Sequence, residues 1–198
     1  MKSALLLSGG QDSTAIAYWL RPSIGITVDY GQRPAEAEIR ASAQVCKELG
    51  MQHVIVSINC SQIGSGDLSG KPALAVAPSS EWWPYRNQLV ITLAATPALA
   101  HGAEELLIGT VSTDASHTDG TQGFVDSIDQ LLFMQEGALH VRAPGIRMSS
   151  AELIRHSGIP LDLLCWSHSC HRSNFACGQC RGCLKHKNVM HELGEIPY

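Results

Sequence analysis

No run in this chain is long and apolar enough to cross a bilayer, which excludes a helical membrane span. The apolar N-terminus is cut off at Ser8-Gly9-Gly10, before it reaches the length of a signal peptide's apolar core, and no cleavage site follows. Without an export signal, the expected compartment is the cytoplasm. Positive charge is scarce: 14 Lys and Arg face 18 Asp and Glu, for a formal net charge of -4, so broad electrostatic binding to nucleic acid is not expected. Aromatic residues are few at 6% and charged residues make up 16%, yet hydrophobic residues reach 44%, which argues against disorder and for a buried core. There is no internal repeat and no low-complexity tract. Cysteine is almost absent from the first 160 residues, where only Cys46 and Cys60 occur. The other five, Cys165, Cys170, Cys177, Cys180 and Cys183, crowd together near the end. In a reducing compartment that placement excludes a disulfide framework and points to a metal site.

What is present is an alternation of short apolar runs and helical stretches. Ala4 to Leu7 predicts a first strand, Asp12 to Leu20 a helix, Ile24 to Val28 a second strand, Ala35 to Leu49 a helix capped by Gly50, and His53 to Ile58 a third strand. Asn59 to Trp83 is rich in Gly, Ser and Pro and predicts a long loop without an element of its own. Asn87 to His101 predicts a helix bent near Pro97, Glu105 to Gly109 a strand, Thr110 to Gly123 a polar loop, Phe124 to Gln135 a helix and Leu139 to Arg142 a fifth strand. Ser149-Ser150-Ala151-Glu152 has the form of a capping box opening a short helix to His156. Strands alternating with helices imply a parallel sheet covered on both faces, an α/β fold. The 198 residues divide into an α/β domain over 1–160 and a cysteine module over 161–198 packed on it.

The first strand-to-helix turn carries the chemistry: Ser8-Gly9-Gly10-Gln11-Asp12-Ser13. Glycines leave backbone N–H groups bare toward an anion, and the helix that follows adds its positive dipole end. Ser8 and Ser13 carry hydroxyl donors for phosphate oxygens, and Asp12 is a carboxylate suited to magnesium. In open parallel sheets, ligands sit at the carboxyl ends of strands, where this loop falls. It is not a Walker A loop, which would close on a lysine. In the cysteine segment, Cys170, Cys177, Cys180 and Cys183 offer four soft ligands, and the Cys-x2-Cys spacing of the last three lets neighbouring thiolates reach one ion. Four thiolates suit a tetrahedral zinc and also an iron–sulfur cluster. Cys165 is then spare and expected to be buried, and His168 and His171 flank the first ligand. Arg181, Lys185, His186 and Lys187 form a basic patch that reads as a solvated helix face, with an approach to phosphates open if the module folds over the loop.

The loop resembles the PP-loop of the N-type ATP pyrophosphatases. More narrowly, Val28-Asp29-Tyr30-Gly31-Gln32-Arg33 and Pro84-Tyr85-Arg86-Asn87 are similar to the Asp-Tyr-Gly-Gln-Arg and Pro-x-Arg-Asn segments of the 7-cyano-7-deazaguanine synthase (QueC) family. Leu107-Ile108-Gly109 and the cysteine module stand in the same order, so the likeness covers nearly the whole chain. The resemblance implies a PP-loop, Rossmann-like sheet and ATP cleaved between its α and β phosphates to activate a carboxylate as its adenylate. It also implies a structural zinc on the four cysteines and a homodimer. Ser8, Gly9, Gly10, Gln11, Asp12, Ser13, Asp29, Tyr30, Gln32 and Asn87 would then hold the nucleotide. Arg33 and Arg86 would offset the charge of the departing pyrophosphate, and Asp12 would take part in catalysis by holding the magnesium ion that does the same.

The sequence departs from that family at three points. Pro34 stands where a His usually follows Gly-Gln-Arg. The substrate loop is replaced by Asp114 to Gly120, in which Asp114, Ser116 and Asp119 correspond to substrate-binding positions, and Asp114, His117 and Asp119 are the base candidates by location. Ser150 stands where a lysine is expected, with Arg147 nearby as a substitute charge. The expected reaction is adenylation of 7-carboxy-7-deazaguanine and transfer to a nitrogen nucleophile. That nucleophile is ammonia on the way to the nitrile or, as the altered loop favours, a protein's N-terminal amine as in paralogues of antiphage defence. Other PP-loop chemistry such as tRNA thiolation, and a nucleotide-binding module without catalysis, are the rival readings.

Overall fold

The computed structural model describes residues 2–197. In chain order it contains β1 (Ser3–Leu6), α1 (Gln11–Leu20), β2 (Ile24–Asp29), α2 (Ala35–Leu49), β3 (Gln52–Ser57), α3 (Gly66–Ser69), α4 (Arg86–Ala100), β4 (Glu105–Leu107), α5 (Gln122–Phe133), β5 (His140–Arg142), α6 (Ser150–Ser157), α7 (Leu161–Leu164) and α8 (Arg181–Leu193). The five strands form one sheet in the order β3-β2-β1-β4-β5. Every pairing is parallel, as in Ala4 opposite Ile24 and Leu106. The α/β fold and the parallel sheet expected from the alternating pattern are both present.

Successive strand residues point to opposite faces, and each face has its own core. Ala4, Ile24, Ile26, Leu106 and Val141 pack with α4 and α5 side chains such as Ile91 and Ile128. Leu5, Leu7 and Leu107 pack on the other face with Ile16 of α1, Val45 of α2, Leu153 of α6 and Met190 of α8. The strand order reverses beside β1, where β2 lies on one side and β4 on the other. That is the topological switch point, and the open crevice lies beyond the carboxyl ends of β1 and β4.

Three segments differ from the sequence expectation. The loop after β3 holds a 3-10 turn at Ser61–Ile63 and the short α3. Leu68 and Trp83, each 2% exposed, pin it to the core, so tertiary burial orders a segment that local propensity leaves open. The segment expected as a polar loop after β4 holds 3-10 turns at Ser112–Ser116 and Thr118–Gly120, while Pro97 lies in the last turn of α4, which runs to Ala100 much as expected. The cysteine segment contains α7 and α8. Its Leu163, Leu164, Val189 and Met190 belong to the same core as Leu5 and Ile16, while Cys170, Cys180 and Cys183 cluster by themselves. The C-terminal segment therefore builds no apolar core of its own and completes that of the sheet. Cys165, expected to be buried, is exposed beyond the end of α7.

Gly9 fixes the turn between β1 and α1. Its φ is +72°, and a Cβ there would stand 2.8 Å from the Glu38 carbonyl oxygen and 2.9 Å from Ala41 Cβ, both on α2. Gly9→Ala is expected to lower stability by about 1–3 kcal/mol, through backbone strain and overpacking together. Chemical denaturation at fixed pH measures it; an unchanged midpoint would show that the turn tolerates a side chain.

Candidate active site

A cavity of about 630 Å³ opens at the switch point. On its floor lie Ser8, Gly10, Gln11, Asp12 and Ser13. Gly10 caps α1 without any side-chain acceptor, an arrangement that leaves the first N–H groups of the helix able to receive an anion. Ser8 Oγ and Ser13 Oγ stand 3.2 Å apart, and Ser13 donates to the Gly10 carbonyl at 3.1 Å. Gly9 lies behind the floor against α2 rather than in it.

The walls come from distant segments. Tyr30, Glu38, Arg86 and Asn87 line one side. Arg86 donates to Asn87 Oδ1 at 3.1 Å, and Asn87 reaches the Asp119 carbonyl at 3.5 Å. Tyr85, just before them, has φ +57°, a strained conformation for a tyrosine at the start of a helix. Burial pushes the Tyr30 phenol well above its usual range despite the nearby Arg86 guanidinium. Its ring meets Trp83 edge-on, with centroids 5.0 Å apart. Burial likewise raises Glu38 to about 7, against the Gln32 hydrogen bond and the Arg86 charge.

The opposite wall comes from α8. Arg181 and Lys185 are four residues apart and share a helix face. Lys185 Nζ donates to Asp12 Oδ2 at 2.9 Å and to Asp114 Oδ1 at 3.0 Å. Burial alone would lower its pKa, but the two carboxylates outweigh that and hold it above the ordinary lysine value. Burial raises Asp12 against the pull of Lys185, and Asp12 Oδ1 is buried without a hydrogen-bond partner. Arg181 donates to Glu81 Oε1 at 2.6 Å, to His117 Nε2 at 2.8 Å and to Ser116 Oγ at 2.6 Å. Because guanidinium has only donors, His117 Nε2 is the acceptor there. Burial opposes ionisation of Glu81, yet hydrogen bonds from its own backbone N–H, Ser79 and Arg181, with the Arg181 charge, bring it down to about 2.

The sequence-derived candidates therefore separate into two groups. Ser8, Gly10, Gln11, Asp12, Ser13, Tyr30, Arg86, Asn87, Asp114 and Asp119 meet at the cavity. Arg33, Asp29, Gln32 and Ser116 do not line it. Arg33 is exposed, donates its backbone N–H to the Leu68 carbonyl and runs its stem past Gly70. Asp29 accepts from the Gly31 N–H at 3.0 Å. Gln32 braces the turn, accepting from Tyr30 N–H at 2.8 Å and donating to Val28 O and Glu38 Oε2 at 3.0 and 2.8 Å. Arg147 is exposed and outside the cavity. Ser150, at the start of α6, lines the cavity beside Asp12, and the cation that meets Asp12 is Lys185. Glu38, Glu81, Trp82 and Asn188 also line the cavity, and no motif marked them. The solvated-face reading of the basic patch fails for Arg181 and Lys185, whose i, i+4 spacing was the available signal.

The four sulfur atoms of Cys170, Cys177, Cys180 and Cys183 all lie within 4.8 Å of one another, with Cys177–Cys183 and Cys170–Cys180 at 3.9 Å. A single ion with metal–sulfur bonds of about 2.3 Å holds tetrahedral thiolates about 3.8 Å apart. The cubane of an iron–sulfur cluster would interpose iron and sulfide between its thiolates and spread them further. The donor set therefore fits one ion.

Residues 2–194 match the family described as queuosine biosynthesis protein QueC. The chain belongs to the QueC family. The family is one of ATP-dependent ligases, so its loop falls where ATP use requires it. The chain is 28% identical over 220 residues to the 7-cyano-7-deazaguanine synthase of Methanosarcina barkeri, covering 98% of this chain and 95% of that one. It is 29% identical over 223 residues to the synthase of the same name from Campylobacter concisus, covering 100% and 98%. Among solved structures, a tRNA thiolase, NcsA, from Methanococcus maripaludis with its 4Fe-4S cluster shares the fold at a TM-score of 0.52 and 16% identity, over 97% of this chain and 66% of that longer one. Among the described residues, no helix is long and apolar enough to cross a membrane.

The raised Glu38 pKa has a measurable consequence. A carboxyl whose folded pKa exceeds its unfolded value favours folding when protonated, so its stabilising effect is complete below about 4.5 and is lost as pH rises through about 7. Glu38→Gln should flatten the pH dependence of stability between those values. It should leave the variant more stable than the parent at pH 8 by an amount on the order of 1–3 kcal/mol. Thermal melts across that range check it; parallel curves for the two proteins would refute it.

Proposed function

We propose that this QueC-family protein adenylates the carboxylate of 7-carboxy-7-deazaguanine with ATP and passes the acyl group to a nitrogen nucleophile. One observation carries the reading: a PP-loop without its own lysine opens into a cavity where Lys185, Arg86 and Arg181 converge with Asp12. That arrangement suits neutralising a departing pyrophosphate. A substrate carboxylate oxygen attacks the α-phosphorus, the bond to the bridging oxygen breaks, and pyrophosphate leaves with the electron pair. Nitrogen then attacks the acyl carbon, AMP departs as the carbon–oxygen bond breaks, and the nitrogen loses a proton.

The residues have distinct parts in this scheme. The α1 N-terminus, Ser8 and Ser13 bind phosphate oxygens. Asp12, whose Oδ1 is buried without a partner, fits magnesium, which when bound would supply charge neutralisation on the phosphates. Asp114 and His117 are engaged by Lys185 and Arg181, whereas the Asp119 side chain makes no hydrogen bond or ion pair among the described residues, so Asp119 is the base in this scheme. The four cysteines hold a structural zinc, supported by their spacing. In this reading residues 161–198 form the metal-dependent module, packed through a shared core on the α/β domain of residues 1–160.

The altered segment Asp114 to Gly120 supports a protein's N-terminal amine, rather than ammonia, as the acceptor. It is bound down by Arg181 and Lys185 from α8, so the acceptor side of the cavity is shaped by the C-terminal segment. Mass spectrometry of reactions with ATP, the carboxylate and either ammonium or an amine-bearing peptide tests this. An amide to the amine with little nitrile is expected; efficient nitrile formation would overturn the acceptor assignment, and absence of any AMP-forming reaction would overturn the ligase reading. Asp12→Ala should abolish pyrophosphate release with the far-ultraviolet spectrum unchanged, and full activity would refute its metal role. Chelating the bound metal should lower the melting temperature reversibly, with zinc restoring it; an unchanged melt would refute the structural metal.

A further inference from the structure

We infer that Lys185 is the phosphate-binding cation of the PP-loop, supplied by the cysteine segment rather than by the loop itself. The inference rests on the ATP-using reading above and names the group that completes its phosphate end. Ser8 to Ser13 contains no cationic side chain, although a loop of this kind must hold a highly charged leaving group. Lys185 Nζ is the ammonium nearest to it, 2.9 Å from Asp12 Oδ2 inside the same cavity. The other two cavity cations bond side chains outside the loop and add to the same positive lining. Arg86 is bonded to Asn87, and Arg181 is bonded to Glu81, His117 and Ser116.

The placement is not accidental to α8. Cys180 is the N-cap of that helix and Cys183 lies in its first turn, so the four-sulfur node sets where Lys185 points. The segment is also fastened to the loop directly, since the His168 N–H donates to the Gly9 carbonyl at 2.8 Å. The ammonium is shared by Asp12 and Asp114. A cation taking those carboxylates would free its donors for phosphate oxygens without moving the stem far, because Lys185 carries three N–H groups.

The test is calorimetric binding of inorganic pyrophosphate and of AMP, each with magnesium, to the full chain and to Lys185→Met and Lys185→Arg. Met keeps the stem and removes the charge; Arg keeps the charge. The expected result is a loss of about 10- to 100-fold in pyrophosphate affinity for Lys185→Met with AMP affinity unchanged, and recovery of most of that loss in Lys185→Arg. Metal content and melting temperature, measured on the same samples, report the fold. Wild-type pyrophosphate affinity in Lys185→Met overturns the inference. Equal weakening of both ligands, or a loss that Lys185→Arg does not restore, overturns it as well by assigning Lys185 to packing. A wild-type protein that binds no pyrophosphate overturns it whatever it does with a deazaguanine. Intact pyrophosphate binding without ligation would instead sink the proposed reaction and leave this inference standing.

Discussion

The contact between the Lys185 ammonium and the Asp12 and Asp114 carboxylates ties the site together. It joins residues 173 and 71 positions apart in the chain, so it exists only if the C-terminal segment lies across the carboxyl edge of the sheet. Two partly buried carboxylates facing one cavity would repel each other, and the shared ammonium removes that repulsion. A charged group in such a place is costly to leave alone, which makes the pairing a strong determinant of where α8 sits.

Several further contacts hold the same segment. Asn174 Oδ1 accepts the Ala37 N–H at the start of α2, and its amide donates to Glu36. Arg172 pairs with Asp67 of α3 at 3.0 Å. Val189 and Met190 fill the core beneath β1. The polar contacts are individually modest, because solvent screens them, whereas Val189 and Met190 are buried. Together they explain why a stretch with no core of its own adopts one position. A metal ion held by the four sulfurs would act as a covalent-like knot at the point where the chain has few apolar side chains to offer.

The same architecture explains how the cavity is divided. One wall, from Tyr30, Arg86 and Asn87, belongs to the sheet and α4. The other, from Glu81, His117 and Arg181, is assembled from two loops and α8, held by hydrogen bonds onto a single guanidinium. On the proposed reaction, phosphate binding would rest on regular elements and acceptor choice on loops, where sequence can change without disturbing the fold.

Read without coordinates, the chain disclosed its sheet, the glycine turn at Ser8 to Ser13, and four cysteines at metal spacing, because each is encoded by near neighbours: alternating apolar runs, φ-permissive glycines, and thiols two residues apart. The family resemblance followed from the same local signals. It did not disclose that Arg33 and Asp29 face away from the cavity, that Gln32 is a brace, or that Glu38 and Glu81 line it, since side-chain direction at a strand end is set by what packs against it. Nor could it show Lys185 beside Asp12. Charge patterning marks a basic helix face, but whether that face meets water or a carboxylate is decided by the long-range packing of α8 on α6 and the first strand, which no local pattern records.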